Sequence, residues 1–329
     1  MNTSAATRKQ QKIQQQQDRR DADAARGRHA ASPGKEAKPA VQAGDQVQPE
    51  RLPAQHLEKP GEEHQLAVAP RFLAETYLGS RKLQDMVALI TGGDSGIGRA
   101  VAVLYAREGA DVAIVYLSER RDAEETRHHV EAEGRRCLLI EGDVKDAAFC
   151  RQSVQQTVQH FGRLDILVNN AAFQEHAESL EDITDERFDE TLRTNVYGYF
   201  QMARAALPHL QRGASIINTG SVVGLEGSKH LLDYATTKGA IHAFTKSLAQ
   251  NVIGRGIRVN AVAPGPVWTP LNPADKAAAA MPDFGRQTDM KRPAQPEELS
   301  PAYVFLASPV TAAYITGIVL PVTGSVGAI

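Results

Sequence analysis

A tyrosine and a lysine at helical spacing are the first candidate chemical group in this 329-residue chain. Tyr234 and Lys238 lie four positions apart in a helix-forming stretch, so both side chains face one side of the predicted helix. A tyrosine hydroxyl titrates near about pH 10, too high for ready proton exchange at neutral pH, and a neighbouring ammonium lowers that pKa. The pair predicts a general acid/base that exchanges a proton with a substrate oxygen.

Two polar residues upstream extend this candidate group. Ser221 lies 13 residues before Tyr234 and just after a short apolar run, where its hydroxyl can hydrogen-bond a substrate oxygen and stabilise developing charge. Asn195 lies 26 residues before Ser221, in a helical stretch. Each residue also has a purely structural interpretation: Tyr234 in a half-buried helix, Ser221 in a turn, and Asn195 in a local hydrogen bond.

A glycine-rich turn precedes these residues in the chain. The segment from Thr91 to Gly98 reads Thr-Gly-Gly-Asp-Ser-Gly-Ile-Gly, follows a short apolar run and opens a helical stretch. Glycines let the backbone approach a pyrophosphate, which the unpaired N–H groups and positive dipole end of a helix favour. The spacing is Gly-x-x-x-Gly-x-Gly rather than Gly-x-Gly-x-x-Gly, but its strand–turn–helix context indicates a dinucleotide site.

The elements that must position these residues alternate regularly from residue 84. Apolar runs predict seven strands, at Met86–Ile90, Val112–Val115, Cys137–Ile140, Ile166–Val168, Ser215–Asn218, Arg258–Val262 and Ile318–Val322. Helical spacing predicts helices at Ile97–Glu108, Glu119–Glu133, Ala147–Phe161, Asp185–Leu210, Tyr234–Ile253 and Pro296–Leu306. Continuous apolar strands are buried on both faces, so the pattern indicates a doubly wound α/β fold with a parallel sheet and ligands at the carboxyl ends of its strands.

The order of these motifs resembles the short-chain dehydrogenase/reductase family over residues 84–329. The resemblance is carried by the glycine turn, Asp143-Val144, Asn169-Asn170-Ala171-Ala172, Asn195, Ser221, Tyr234-x-x-x-Lys238 and Pro264-Gly265. Ala172 departs from the family's usual Asn-Asn-Ala-Gly. The glycine turn and the Pro60-Gly61 pair resemble, more narrowly, the general-stress, glucose/ribitol-dehydrogenase-like branch. The resemblance implies a seven-stranded Rossmann-type fold and hydride transfer between an alcohol or carbonyl and NAD(P).

The resemblance also implies a role for each candidate residue. Tyr234 would be the general acid/base, Lys238 would lower its pKa and hold the nicotinamide ribose, and Ser221 would orient the substrate oxygen. Asn195 would support a water chain that relays protons to Lys238. The implied cofactor contacts are Gly92, Asp94, Ser95, Gly96, Ile97, Gly98, Tyr116, Leu117, Asp143, Val144, Asn170, Ala171, Tyr234, Lys238, Pro264, Gly265, Val267 and Thr269. Asp143 would accept from the adenine amino group, or it caps the following turn.

The choice of nicotinamide cofactor depends on charge near the end of the second strand. Tyr116 and Leu117 there supply neither an acid for a ribose 2′-hydroxyl nor a base for a 2′-phosphate. The charge of Asp94 would repel a phosphate, whereas Arg120 and Arg121 could counteract it. The sequence therefore favours NAD(H) slightly over NADP(H).

The first 83 residues differ in composition from the rest of the chain. There is no aromatic residue before Phe72, and large aliphatic residues are sparse before residue 66. Such a segment buries too little apolar surface to offset the entropy of ordering its backbone, so it is predicted to be disordered on its own. Phe72 and Tyr77 are anchors by which residues 60–83 could lie on the body or on a neighbouring subunit. The sequence predicts a largely disordered polar arm over 1–83 and a catalytic domain over 84–329.

Composition limits the class of protein and its surroundings. A net charge of −2 gives no electrostatic reason to expect nucleic acid or an anionic membrane as a partner. The two cysteines cannot form a disulfide framework, which favours the cytoplasm, and no histidine or cysteine spacing suits zinc, so no metal is expected. Residues 299–329 carry no charge, but their prolines favour a buried helix and strand over a membrane span.

Three functions remain open at this point. The leading hypothesis is an NAD(P)-dependent oxidoreductase that acts on a small alcohol or carbonyl. A 3-oxoacyl-carrier-protein reductase shares every motif but calls for a basic patch that the sequence does not reveal, and a non-catalytic dinucleotide-binding regulator would be favoured by a broken catalytic set. The resemblance implies a homotetramer. The substrate pocket is predicted from the loop after Ser221 and the insert Pro266–Arg292, in which Trp268 either lines the pocket or packs.

Overall fold

The computed structural model describes residues 4–27 and 39–325. Its strands form one parallel sheet in the order β3-β2-β1-β4-β5-β6-β7, which confirms the predicted doubly wound fold. The strands are β1 (Val87–Thr91), β2 (Asp111–Tyr116), β3 (Cys137–Glu141), β4 (Leu164–Asn169), β5 (Leu210–Thr219), β6 (Arg258–Pro264) and β7 (Val319–Val322). The order reverses between β1 and β4, and a ligand cleft is expected at that switch point.

Helices cover both faces of this sheet. They are α1 (Ala5–Gly27), α2 (Gly96–Arg107), α3 (Arg120–Ala132), α4 (Ala147–Phe161), α5 (Asp185–Leu192), α6 (Gly198–Ala206), α7 (Val223–Glu226), α8 (Leu232–Val252) and α9 (Pro296–Ala307). Side chains of α2, α3 and α9 pack with Ile90 on one face, and those of α4, α6 and α8 pack with Leu89 on the other. Adjacent residues of one strand thus serve two apolar layers, as continuous apolar strands require.

The helix predicted over Asp185–Leu210 is wrong as a single element. Helix α5 ends at Leu192, Arg193–Tyr197 is a π-helical turn, and α6 is followed by a 3₁₀ turn, so that Leu210 already begins β5. Helical periodicity in a sequence does not distinguish a π turn from an α-helix, and π turns occur often at functional sites. The π turn contains Asn195.

The described residues before residue 60 are ordered against the body of the same chain, unlike the disorder predicted for them, whereas residues 60–83 lie on the body as their apolar anchors allowed. Gln14 of α1 donates from Nε2 to the carbonyls of Leu57 (2.7 Å) and Ala274 (3.0 Å) and accepts from the Lys59 N–H (2.8 Å). A small apolar cluster joins the arm to the body through Leu52, Leu57, Leu66, Trp268, Ala274 and Met281. The composition argument considered the arm alone, whereas the body supplies its partners. The prediction for residues 1–3 and 28–38 lies outside the described residues.

The uncharged C-terminal stretch forms α9 and β7 up to residue 325, as its prolines and small residues predicted. The helix is largely buried as expected, whereas β7, the edge strand, is only half-buried. Its last four residues lie outside the described range. None of the helices in residues 4–27 and 39–325 is both long and apolar enough to cross a membrane.

Candidate active site

A cavity of about 430 Å³ opens at the carboxyl ends of the central strands. The predicted cofactor contacts that line it are Gly92, Asp94, Ser95, Gly96, Ile97, Tyr116, Leu117, Asp143, Val144, Asn170, Ala171, Tyr234, Lys238, Pro264, Gly265, Val267 and Thr269. Gly98 does not line the cavity. It lies beneath the glycine turn, where an added Cβ would collide with the carbonyl of Gly92, so this glycine is needed to close the turn.

The glycine turn forms a cradle at the N-terminus of α2. Gly92 has a φ of +61° and Gly96 a φ of +50°, a region that favours glycine. A Cβ at Gly92 would lie 3.0 Å from Ala171 Cα, and a Cβ at Gly96 would lie 2.9 Å from Thr269 Cγ2. Side chains there would fill the gap between the turn and the ends of β4 and β6. The bare backbone at a helix N-terminus therefore fits the phosphates of a dinucleotide.

Tyr234 and Lys238 lie near the start of α8, are both buried and both face the cavity. Lys238 Nζ donates to the Thr219 carbonyl at 2.7 Å and lies 3.4 Å from the Tyr199 hydroxyl. Burial lowers the pKa of Lys238 to about 7. The helical spacing thus brings the two side chains together, with Nζ 5.4 Å from the centre of the Tyr234 ring.

The expected lowering of the Tyr234 pKa by Lys238 does not occur in this arrangement. Burial raises the pKa of the Tyr234 hydroxyl well above its ordinary value, and a hydrogen bond with Ser221 opposes that rise in part. The ammonium of Lys238 is directed at the Thr219 carbonyl instead. Desolvation of the buried hydroxyl is therefore the dominant influence on the pKa of Tyr234.

Ser221 lies at the cavity wall and is held by a histidine that the sequence reasoning missed. Its N–H donates to Nε2 of His242 at 3.4 Å, and its Oγ accepts from the Val223 N–H at 3.3 Å. Burial, together with the charge of Lys238, lowers the pKa of His242 to about 4, so the imidazole is neutral and can accept. His242 follows Lys238 by four residues on α8. That helical spacing is the feature of the sequence that could have indicated that His242 faces the same side as Lys238.

Asn195 does not line the cavity but positions a segment that does. Its Oδ1 accepts from the Phe173 N–H at 2.8 Å, while its Nδ2 donates to the Phe173 carbonyl at 2.9 Å and to Thr237 Oγ1 at 3.0 Å. These bonds fix the segment after β4 against α8. Gln174, the next residue of that segment, lines the cavity.

Comparison with known proteins identifies the family. Residues 92–326 match a family model described as enoyl-(acyl carrier protein) reductase. General stress protein 39 of Bacillus subtilis is 51% identical over 277 residues, which cover 84% of this chain and 96% of the relative. The chain belongs to the short-chain dehydrogenase/reductase family. It is an oxidoreductase.

Two further comparisons agree with this assignment. Glucose and ribitol dehydrogenase of Daucus carota is 45% identical over 288 residues, 86% of this chain and 97% of the relative. A short chain dehydrogenase from Burkholderia cenocepacia, solved in complex with NADP, superposes with a TM-score of 0.69 at 36% identity and covers 74% of this chain and 98% of its own. The predicted narrower branch is thus confirmed by relatives of both kinds, general-stress and glucose/ribitol.

Two carboxylates face the cavity of this short-chain dehydrogenase/reductase near the end of β2. Burial raises the pKa of Asp94 to about 6, and burial together with the charge of Asp94 raises that of Glu119 to about 8. Arg120, which was expected to offset Asp94, instead pairs with Glu141 at 2.6 Å on the surface. Glu119 was not among the sequence candidates, because a helix-forming acidic residue ordinarily lies in solvent.

A buried ionic cluster joins the arm to the segment after β4. Lys59 Nζ lies 3.1 Å from Glu175 Oε2 and donates to the carbonyls of Gln174 (2.8 Å) and Ala274 (2.9 Å). Beside it, His176 contacts Asp275 at 2.9 Å and Asp21 of α1 at 3.0 Å. Burial lowers the pKa of His176, but these carboxylates raise it overall to about 10.

The cluster contains ligand types that a metal could use. Glu175, His176 and Asp275 bring their ligand atoms within 4.8 Å of one another. The ammonium of Lys59 and the protonated His176 already balance those acids. Sequence spacing gave no sign of the cluster, because its members come from segments far apart in the chain.

The insert Pro266–Arg292 lies over the cavity, as predicted. Leu271, Lys276, Phe284 and Gln287 of this insert line it. Trp268 does not: it is fully buried, donates from Nε1 to the Val68 carbonyl at 2.9 Å, and packs in the apolar cluster beneath the arm. Of the two interpretations of Trp268, packing is the observed one.

Proposed function

We propose that this protein interconverts an alcohol and a carbonyl by hydride transfer with NAD(P)(H). The observation that carries the proposal is the continuity of one cavity, which runs from the glycine cradle at Gly92 and Gly96 to Ser221, Tyr234 and Lys238. Solved relatives support both cofactors, since the Burkholderia enzyme was captured with NADP and a Mycobacterium paratuberculosis enzyme with NAD. We assign catalysis to residues 84–329, with residues 1–83 as an arm, and place the enzyme in the cytoplasm.

The cofactor would supply the hydride when it is bound, and side chains of the protein supply the proton. The glycine turn holds the phosphates, Asp143 the adenine, and Asn170, Ala171, Thr269 and Lys238 the nicotinamide half. Ser221 Oγ donates to the substrate oxygen, where negative charge develops during reduction. Tyr234 then protonates that oxygen, and a protonated Lys238, with Nζ 5.4 Å from the Tyr234 ring centre, would offset part of the cost of burying the phenolate left behind.

Asn195 has a supporting part in this proposal. Its side chain already fixes Phe173 and Thr237, so it acts as a positioning residue. In line with the family resemblance, we assign it to a water chain that returns a proton to Lys238.

The test of this mechanism is Tyr234→Phe. A panel of sugars, polyols, aldehydes and steroids with both cofactors first identifies a substrate of the wild type. Loss of the general acid/base should lower kcat/KM by about 10²–10⁴-fold, with the Kd of the cofactor unchanged. Tyr105→Phe, which also removes one buried tyrosine hydroxyl but lies in the core between α2 and α9, is the matched control. Retained turnover by Tyr234→Phe with intact cofactor binding would refute the assigned role.

The two buried carboxylates support NAD(H) as the preferred cofactor. Asp94 and Glu119 line the cavity near the end of β2, while Arg120 is engaged by Glu141. Asp94 is ionised at pH 7 and Glu119 only above about pH 8, so a 2′-phosphate meets the negative charge of both carboxylates in an assay at about pH 9. At that pH we expect a higher kcat/KM with NADH than with NADPH, and a shift toward NADPH in Glu119→Gln. Glu124→Gln on the exposed side of α3 should leave the ratio unchanged. A tenfold preference of the wild type for NADPH would contradict this assignment.

A 3-oxoacyl-carrier-protein reductase is the second candidate, favoured by the acyl-carrier substrate in the description of the matching family model. The names of the carrot and other relatives, which contain glucose, ribitol and aldehyde, instead favour sugars, polyols and aldehydes. Turnover of an acyl-carrier thioester exceeding that of every free aldehyde and polyol would establish the second candidate. The complete set of Asn195, Ser221, Tyr234 and Lys238 argues against a non-catalytic regulator.

A further inference from the structure

A carboxylate of the arm lies directly behind the glycine turn. Glu63, in a 3₁₀ turn of the arm, is only 3% exposed. Its Oε2 accepts from the Gly96 N–H at 2.6 Å, and its Oε1 pairs with Arg99 Nη1 at 2.7 Å. The arm thus supplies the acceptor for the first N–H of α2, where a negative charge is favoured by the helix dipole.

Arg99 extends this contact to the rest of the turn. Its Nε donates to the Asp94 carbonyl (3.0 Å) and to Thr126 Oγ1 (3.0 Å), and its Nη2 donates to the Asp122 carbonyl (3.0 Å). The guanidinium is almost completely buried, so the carboxylate of Glu63 is what balances its charge together with nearby acids of α3. Removing one partner of a buried ion pair leaves the charge of the other partner uncompensated. This favours a rearrangement of the surrounding backbone.

The arm is anchored on both sides of Glu63. On one side, the Glu63 and His64 N–H groups donate to the Asp122 carboxylate at 2.5 and 3.1 Å. On the other, Gly61 has a φ of +93° and packs so closely that a Cβ there would lie 2.9 Å from the Pro270 carbonyl oxygen. Pro60 and Gly61 line the cavity, whereas Glu63 lies behind its wall.

We propose that the arm is a working part of the cofactor site, in which Glu63 is a positioning residue that fixes the glycine turn in its binding conformation. This inference rests on the proposed function, because it concerns the same NAD(P)(H) site. The inference means that the polar N-terminal arm influences the affinity of the protein for its cofactor. The carboxylate acts through Gly96 and Arg99 and does not contact the reacting atoms.

The test measures the Kd of NADH and NADPH by fluorescence for the full-length protein, with no substrate present. Glu63→Ala should weaken binding by about tenfold or more, the size expected for the loss of a charge-assisted hydrogen bond. In turnover assays the KM of the cofactor should rise while kcat at saturating cofactor stays close to that of the wild type. A merely structural role would lower the amount of folded enzyme and leave the KM of the folded fraction unchanged.

Two further variants keep the test decisive. Glu63→Gln retains an acceptor for the Gly96 N–H and preserves the side-chain shape, so it should fold normally and show a smaller loss of affinity than Glu63→Ala. Glu62→Gln is the matched control: this adjacent glutamate is 36% exposed and contacts only Gln65 and His64 of the arm among the described interactions.

The possible outcomes separate this inference from the proposed function. If the wild type binds neither NADH nor NADPH, the proposed function itself fails. If the wild type binds one of them and both Glu63 variants bind it equally well, the positioning role is wrong. Tighter binding by Glu63→Ala would also overturn it, since the carboxylate would then be a competitor of the cofactor phosphates.

Discussion

Lys238 illustrates, at the scale of one residue, a conflict between chemistry and stability. Its ammonium is almost completely buried, and burial lowers its pKa from 10.5 to about 7. Between those two pH values the unfolded chain binds a proton that the folded chain does not, so stability rises with pH in that interval. Below about pH 7 the full penalty of a buried charge remains. A lysine that costs stability at this position fits its proposed role in proton transfer.

Lys238→Met should separate the contribution of the ammonium to catalysis from its effect on the stability of the fold. We expect kcat/KM to fall by about 10²-fold or more, because the phenolate of Tyr234 loses its stabilising charge. The variant should unfold at a higher denaturant concentration than the wild type at pH 7, and this advantage should shrink as the pH approaches 10.5. The Thr219 carbonyl also accepts from the Tyr199 hydroxyl at 3.2 Å, so loss of the Lys238 ammonium leaves it a second donor.

Lys246→Met, on the exposed side of the same helix, is the control. It should alter neither kcat/KM nor the denaturant concentration at which the protein unfolds. A Lys238→Met protein that is less stable than the wild type at every pH would show that the ammonium contributes net stabilisation, contrary to the effect of burial.

At the scale of elements, the docking of the arm depends on buried polar contacts as much as on apolar ones. The side chains of Lys59 and Glu175 are 2% and 0% exposed, and the pair links the arm to the segment after β4. Lys59 also lies over the Phe173 ring at 5.2 Å, and Asn195 holds the backbone of that same residue. The arm and the segment after β4 thus contact each other at Phe173.

Lys59→Met should destabilise the protein by about 3 kcal/mol, because Glu175 is then a buried charge without its partner. Protonation of Glu175, whose pKa burial already raises to about 7, will limit the loss at lower pH. Replacing both residues, as Lys59→Met with Glu175→Leu, should recover most of the stability. Urea unfolding of the four proteins in a double-mutant cycle measures the coupling.

Lys12→Met, an exposed position of α1, is the control and should lie within about 0.5 kcal/mol of the wild type. Additive effects of the two cluster substitutions would mean that the ion pair does not hold the arm.

At the scale of the whole molecule, an apolar area of exposed aromatic residues lies on the surface of the described part of the chain. Tyr197 and Phe200 are 55% and 42% exposed. With Val196, Tyr199, Ile241 and Phe244 they line a hollow between the π turn, α6 and α8. Contiguous exposed aromatic residues are typical of protein–protein contact surfaces. This area is consistent with self-association.

From the family resemblance and this apolar area together, we propose a homotetramer in solution. Light scattering coupled to gel filtration should give a mass four times the 35.6 kDa of one chain. Phe200→Lys should lower that mass, whereas Leu180→Lys, at an exposed position outside the hollow, should not. A monomer mass for the wild type would contradict the prediction.

Local patterning was enough to predict the strands and most of the helices. Burial on both faces leaves a continuous apolar run, as in Val87–Thr91, and α4 ends at Gly162 in the left-handed conformation that glycine favours. The order of the glycine turn, Asn195, Ser221, Tyr234 and Lys238 likewise indicated one cofactor site. The π turn at Asn195 escaped prediction, since its hydrogen bonds differ from those of an α-helix by one residue only.

The sequence by itself determined the elements, their order and the residue types of the site, because these depend on periodicity and turn chemistry within a few positions. The tertiary structure decided the direction of the Tyr234 pKa, the place of His242 behind Ser221, and the contacts of Glu63 with Gly96 and Lys59 with Glu175. Glu63 and Gly96 are 33 residues apart, and Lys59 and Glu175 are 116 apart. Such contacts and the loss of solvent around them follow from how the elements dock. A polar arm that is predicted not to fold alone is therefore ordered against the surface that supplies its partners.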